Sequence, residues 1–314
     1  MADTAATVLL LPERRRFAGQ AIAADIGRLL ADGEHPGDGD PGEAAQLQRW
    51  FDLLPRGLPV AALTRAGDAD DAHLHAWLRA DPCWVRAEMT GARVMAIGEL
   101  GLSVAEANEL VAALRVVFGD AGMPISAPAP SRWYLALTRD AKLPVFAGAD
   151  EVLGADLSAM LPEGPEGRRW RTLLSEAQVI LHNHPVNAAR VAAGKPPANS
   201  VCFHGAGRLP DHVRTTLAGV ESDDALLRAL MRLARPFDAA SPPPRAGGLA
   251  AVVGGRLVDL RGERDWGAVE SRIRAARAGT PSAAVELDFA DGCRRRLLKL
   301  RRWAFWRRPA TALA

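Results

Sequence analysis

Leu181–Gly207, LHNHPVNAARVAAGKPPANSVCFHGAG, gathers three histidines, three asparagines, a cysteine, an arginine and a lysine into one stretch. Three chemistries suit these residue types. His182, His184, Cys202 and His204 invite a zinc reading. Against it, His182 and His184 fall at a helix end, where residues two apart diverge by roughly 200°. No acid lies between Glu176 and Asp211 to act as a hard ligand or to orient a histidine. Anion recognition is the second reading. Arg190 and Lys195 are cationic, Asn187 and Asn199 are neutral donors, and Gly205 and Gly207 expose backbone N–H groups. The third is structural: Asn183, Asn187 and Asn199 can staple turns by bonding backbone groups.

A second cluster, Asp68, Asp70, Asp71, His73 and His75, offers carboxylates and imidazoles for a divalent ion. Acids ahead of a helix also cap it and complement its dipole, and the two histidines diverge if the segment is helical. The chain contains no G-x-x-x-x-G-K-[ST], G-x-S-x-G or H-E-x-x-H, and its three cysteines, Cys83, Cys202 and Cys293, lie far apart. Such sparse cysteines argue against a disulfide framework and fit a reducing cytoplasm. No metal or cofactor is expected.

Net charge is +2 over 314 residues, too weak to imply nucleic acid. The charge is uneven, because Arg294–Arg308 holds eight Lys/Arg and no acid. Arg294, Arg295, Arg296, Lys299, Arg301, Arg302, Arg307 and Arg308, with Trp303 and Trp306 among them, form a basic tail that suits a polyanion or a protein partner. Its plainer reading is an edge strand protected by charge. The first residues place acid before a short apolar run and bases after it, the reverse of a signal peptide. No run of about 18 apolar residues predicts a membrane span.

These side chains need a scaffold, and the pattern predicts a mixed α/β one, a mixed sheet flanked by helices. TVLLLP reads as a buried first strand, followed by a helix ending at Gly33 and a mobile loop over Glu34–Gly42. LPVAALT (Leu58–Thr64) reads as a strand and Asp68–Pro82 as a capped helix. CWVRAEM and ARVMAIG pair across Gly91. Ser103 with Glu106 makes a capping box opening a long helix. RWYLALT and NSVCFHGAG read as strands, 162–194 as helix broken at Pro185, and SDDALLRALMRLA as a capped helix. LAAVVGGRLVDL reads as a hairpin, and Asp291–Gly292 closes another. SPPPRAGG (241–248) is the linker candidate, dividing a main domain, 1–240, from a small α+β appendage, 249–314, that ends in the basic tail.

The segment LLSEAQVILHNHPVNAARVAAGKPPANSVCFHGAGRLP, with HAWLRADPCWV and RWYLALT upstream, resembles the RpfE-type regulatory proteins of proteobacteria over roughly Leu58 to Ala234. The same run is similar to part of the archaeal-type cofactor-independent phosphoglycerate mutases, in the inserted region that helps hold substrate. Carried over, the resemblance implies a ligand-facing set of Asp81, His184, Asn187, Arg190 and Asn199. The glycines Gly205 and Gly207 join it from the anion reading. The departures are specific. Those mutases need an acidic segment around a Ser or Thr nucleophile after the first strand, where this chain reads PERRR, and a C-terminal Asp/His set for two metals. After Gly207 only His212 remains, and His204 replaces an arginine of the mutase run. The expectation is a non-catalytic regulatory or ligand-sensing protein that binds a small phosphorylated or carboxylated metabolite. An active mutase and an interaction module working through the tail are the alternatives.

Overall fold

A computed structural model describes residues 6–89, 91–156, 162–236, 254–278, 284–298 and 308–313. The expected linker, 241–248, and Lys299, Arg301, Arg302 and Arg307 of the tail lie outside these residues. The mixed α/β expectation holds. The chain divides into two units: residues 1–57 with 211–314, and residues 58–210.

The first unit is built on a parallel sheet. β1 (Thr7–Leu11) lies between β11 (Arg256–Asp259) and β12 (Val285–Phe289), parallel to both; β9 (Gly219–Glu221) pairs parallel with β11, and β13 (Arg294–Leu297) closes the other edge antiparallel to β12. From Val8 to Leu11 β1 is apolar and buried because a central parallel strand is covered on both faces. Leu9 and Leu11 pack with Val285, Leu287 and Phe289 against Ile26 and Leu29 of α1 (Ala24–Asp32) and Trp266, Val269 and Ile273 of α9 (Trp266–Ala278). On β12 the alternate residues, Glu286 and Asp288, are wholly buried and charge-paired. Asp288 takes Arg49 at 2.6 Å and the indole N–H of Trp50 at 2.6 Å. Glu286 takes Arg294 and Arg296 from β13. Between β9 and β11 runs α8 (Ala225–Leu233), capped as expected by Asp224, whose carboxylate accepts from the Leu227 N–H at 2.8 Å. A small sheet of β2 (Asp52–Leu54), β8 (His212–Thr215) and β10 (Ala234–Pro236) completes this unit.

Among the described residues, β11, α9, β12 and β13 belong to the same unit as β1. β11 and β12 flank β1, which stands some 250 residues earlier, and the unit is discontinuous in sequence. The first arm of the expected hairpin at Gly254–Gly255 lies outside the described residues, and its second arm, β11, pairs with β1 and β9. The loop expected to be mobile is tied to the β12–β13 hairpin by backbone bonds from Glu34, Gly39 and Gly42.

The second unit centres on β3 (Ala76–Glu88), antiparallel to β4 (Gly91–Ile97), β6 (Arg132–Leu137) and β7 (Ser200–Arg208); β5 (Ile125–Ala129) pairs with β6. Ala76, Leu78 and Ala80 point into a core with α4 (Val104–Asp120) and α6 (Gly164–His182), while Trp77, Arg79 and Asp81 alternate to the other face. That face is covered by α3 (Val60–Asp68).

Two expected elements change type here. Leu58–Thr64 opens a helix rather than a strand, and most of the expected helix Asp68–Pro82 is turn followed by strand. A short apolar run does not reveal its period, and the alternation Trp77–Arg79–Asp81 buries polar groups that a helix reading counts as surface. The capping box at Ser103 and Glu106 forms as expected, with both reciprocal bonds present.

Candidate functional site

The residues of the Leu181–Gly207 stretch form joints between elements. Asn187, on α7 (Pro185–Ala192), is buried. Its amide donates to the carbonyls of Leu181 (2.7 Å) and Ala198 (2.9 Å), and its oxygen accepts the Ala198 N–H (2.8 Å). Arg190 is 2% exposed. Its guanidinium donates to the carbonyls of Pro196, Gly101 and Leu100 and to the carboxylate of Glu106 at 3.0 Å, so it bridges α7 to the start of α4. Asn199 pairs with both backbone groups of Val85 at 2.8 Å, extending the β7–β3 ladder with a side chain. His184 caps α7, its ring nitrogen accepting the Val186 N–H. Gly205 and Gly207 have positive φ, and a Cβ on either would collide with Val60 or Pro59, so they let β7 pass close under the start of α3.

Asp81 belongs to a different group. It is 3% exposed and lies in a bidentate pair with Arg79 (2.6 and 2.7 Å), with His204 Nε2 at 2.8 Å and the Trp133 N–H at 3.2 Å. Burial pushes this carboxyl up, but the charge of Arg79 and the His204 bond outweigh it and hold it below the usual range. Beyond it, Asp68 binds Arg132 bidentately and the Tyr134 hydroxyl, and Asp71 binds Arg65, which stacks on Trp77. Within the Asp68–His75 cluster, Asp68 and Asp71 are thus arginine partners, and His75 packs edge-on against Trp77. Of the seven expected ligand positions, Asp81, Asn187, Arg190 and Asn199 spend their polar side-chain atoms on internal bonds, and His184 spends Nδ1 on its cap. Cys202 and Cys83 are buried thiols. Burial pushes Cys83 up to about 12, and Cys202 also rises.

The fold places another arrangement where sequence reading did not look. In the first unit a crevice of about 480 Å³ opens beyond the carboxyl ends of β1, β11 and β9, lined by Arg16, Glu43, Ser222, Asp223, Asp224, Asp259, Arg261 and Arg264. Parallel sheets hold ligands in this position, because the loops there diverge and helix N-termini converge. At its centre Arg261 binds Asp259 at 2.9 Å through both Nε and Nη2, Glu43 at 3.2 Å and Asp224 at 3.5 Å. Burial opposes the guanidinium charge, but Asp259, Asp224 and Glu43 more than offset it and its pKa is raised. Ser222 donates to Asp259 at 2.8 Å and accepts the Asp224 N–H at 2.9 Å. Burial pushes the Asp259 carboxyl up, but Arg261 and then Ser222 outweigh it and hold it low, so it is a weak base toward that hydroxyl. Arg16 and Arg264 are exposed on the rim. The residues of this crevice come from positions 16 to 264, and only the topology brings them together.

No family model matches the chain. Part of it is similar to cofactor-independent phosphoglycerate mutases. A "Probable 2,3-bisphosphoglycerate-independent phosphoglycerate mutase" of Geobacter sulfurreducens is 30% identical over 110 residues, 35% of this chain and 27% of that protein. The 2,3-bisphosphoglycerate-independent phosphoglycerate mutase of Methanosarcina mazei is 38% identical over 60 residues, 19% of this chain and 15% of the relative. The chain thus matches about a quarter or less of the length of these relatives. The solved cofactor-independent phosphoglycerate mutase of Thermoplasma acidophilum superposes with a TM-score of 0.40 at 15% identity, over 98% of this chain and 93% of that one.

Proposed function

We propose that this chain is a non-catalytic regulatory relative of the cofactor-independent phosphoglycerate mutases, of the RpfE type and cytoplasmic. It binds a small phosphorylated or carboxylated metabolite in the crevice at the carboxyl ends of β1, β11 and β9. The observation that carries this reading is Arg261. Its guanidinium lies among the oxygens of Asp259, Asp224 and Glu43, and so occupies with a fixed organic cation the kind of carboxylate cluster that could otherwise surround a metal ion. A guanidinium supplies the charge but neither an open coordination position nor a lowered pKa for bound water. Ser222, the hydroxyl in the crevice, faces a carboxylate already neutralised by that arginine. Arg16 and Arg264 would take the anionic group of a ligand, with Ser222 and Asp223 available to its hydroxyls.

The test has two arms. A coupled mutase assay with added manganese is expected to show no turnover above background; clear turnover, lost when Arg261 is replaced by alanine, would make the active mutase the correct reading. Calorimetry with 3-phosphoglycerate is expected to show saturable binding that Arg264→Ala weakens and Asn187→Ala does not. Equal weakening by Asn187→Ala would return the ligand to the Leu181–Gly207 stretch.

The polyanion reading of the tail loses two of its residues. Arg294 and Arg296 neutralise Glu286 within the sheet. Among the described residues no helix is long and apolar enough to cross a membrane.

A further inference from the structure

The loop Glu34–Gly42 crosses the β12–β13 hairpin and is fastened to it at both ends. Glu34 and Arg296 exchange two backbone bonds of 2.9 Å, Gly39 donates to the Gly292 carbonyl at 2.9 Å, and Gly42 donates to Ala290 at 2.7 Å. A Cβ on Gly292 would strike the Gly39 carbonyl, so the approach depends on that glycine. Between these ties His35, Asp38 and Cys293 each present one ligand atom, all within 4.8 Å of one another. We propose that these three residues form a site for a borderline-soft divalent cation of the zinc class, with a fourth position open to solvent.

The chemistry of the three groups supports this. The Arg294 carbonyl stands 2.8 Å from His35 Nδ1 and can only accept, so Nδ1 carries the proton and the Nε2 lone pair is free. Orientation by a backbone carbonyl is the usual second contact of a metal-bound histidine. Nε2 in turn faces a carboxylate oxygen of Asp38 at 3.2 Å. Two acceptors meet there, and they are reconciled only by a positive charge between them, a proton or a metal ion. An exposed His–Asp pair three residues apart would alone be an ordinary surface contact. The third donor, Cys293 Sγ, arrives from the far end of the chain and is held by a turn in which its N–H bonds Asp291 at 3.0 Å. With bonds of about 2.0 Å to nitrogen and oxygen and about 2.3 Å to sulfur, tetrahedral ligand atoms lie roughly 3.2–3.8 Å apart, within small side-chain adjustments of this arrangement. His35 and Asp38 are exposed and Cys293 is buried behind them, which leaves an entry path on the solvent side. Binding is written as thiol plus metal ion giving metal thiolate plus one released proton. Three protein ligands and an open position are the pattern of a zinc site that can hold water or an anion.

The test uses the untagged full chain, freed of metal with a chelator. Calorimetric zinc titration is expected to give one equivalent per chain with micromolar or tighter affinity. Cobalt is expected to give a thiolate charge-transfer band that Cys293→Ser abolishes. His35→Gln and Asp38→Asn, both at exposed positions, are expected to weaken zinc binding about tenfold or more while leaving the circular dichroism spectrum unchanged. No saturable binding, a cobalt spectrum unchanged in Cys293→Ser, or zinc affinity unchanged in both exposed variants would overturn the proposal. None of these outcomes depends on whether a metabolite binds beside Arg261.

Discussion

At the scale of single residues, the polar side chains of the Leu181–Gly207 stretch act on the backbone. Asn187 donates to the Leu181 and Ala198 carbonyls and accepts the Ala198 N–H, tying the end of α6 to the start of β7. Asn187→Ala is expected to destabilise the protein by about 2–3 kcal/mol, read from urea unfolding. A change under about 0.5 kcal/mol, the size of an ordinary surface substitution, would remove the stapling role. Asp68, partly buried, is pushed up by burial but pulled further down by Arg132 and Tyr134, so its folded pKa lies below the usual value. Asp81 behaves alike. The sign follows from linkage: a carboxyl lowered in the folded state contributes stability above its unfolded pKa, about 4, and loses it as pH falls through the folded value. Stability is therefore expected to decline as pH falls below about 4. The decline should be shallower in Asp68→Asn, and an identical pH slope in the variant would count against the linkage. The buried Cys83 thiol, pushed up to about 12, is expected to resist thiol reagents at neutral pH until the protein unfolds.

At the scale of elements, local signals succeeded where the partner is local. Ser103 and Glu106 lie one helical turn apart and cap each other in any environment. Ser103→Ala is expected to cost about 1 kcal/mol in a thermal or urea melt. Gly205 shows the opposite dependence. Its φ of +67° and the 2.7 Å separation of an added Cβ from Val60 come from α3 lying across β7, not from its neighbours in sequence. Gly205→Ala is expected to lower the unfolding midpoint more than Ser103→Ala does, and a smaller effect would mean that α3 shifts freely. The strand β3 was hidden for a related reason. Its buried face toward α3 is polar, carrying Arg79 and Asp81, whose charges are tolerable there because each neutralises the other.

At the scale of the molecule, residues 58–210 contain a complete core and their own five-stranded sheet. Expressed alone, this segment is expected to melt cooperatively by circular dichroism. Residues 249–314 alone are not expected to fold, because β11 and β12 each pair with β1 and would be left with open edges. A cooperative melt for 249–314 would restore the separate appendage that the composition suggests.

The amino-acid order by itself determined the mixed α/β class, the capped helices α4 and α8, the hairpin at Asp291–Gly292 and the phosphoglycerate mutase-like character of one segment. The first three depend on periodicity, caps or turn residues within a few positions of one another, and the fourth is a resemblance carried by the residues of that segment. Only the tertiary structure decided that Asn187, Arg190 and Asn199 are held inside the fold and that Arg261 stands among Glu43, Asp224 and Asp259. It also decided that Cys293 meets His35 and Asp38. The physical reason is the same in each case: a side chain's chemistry is set by what faces it. Here the facing groups arrive through strand pairings that span up to most of the chain.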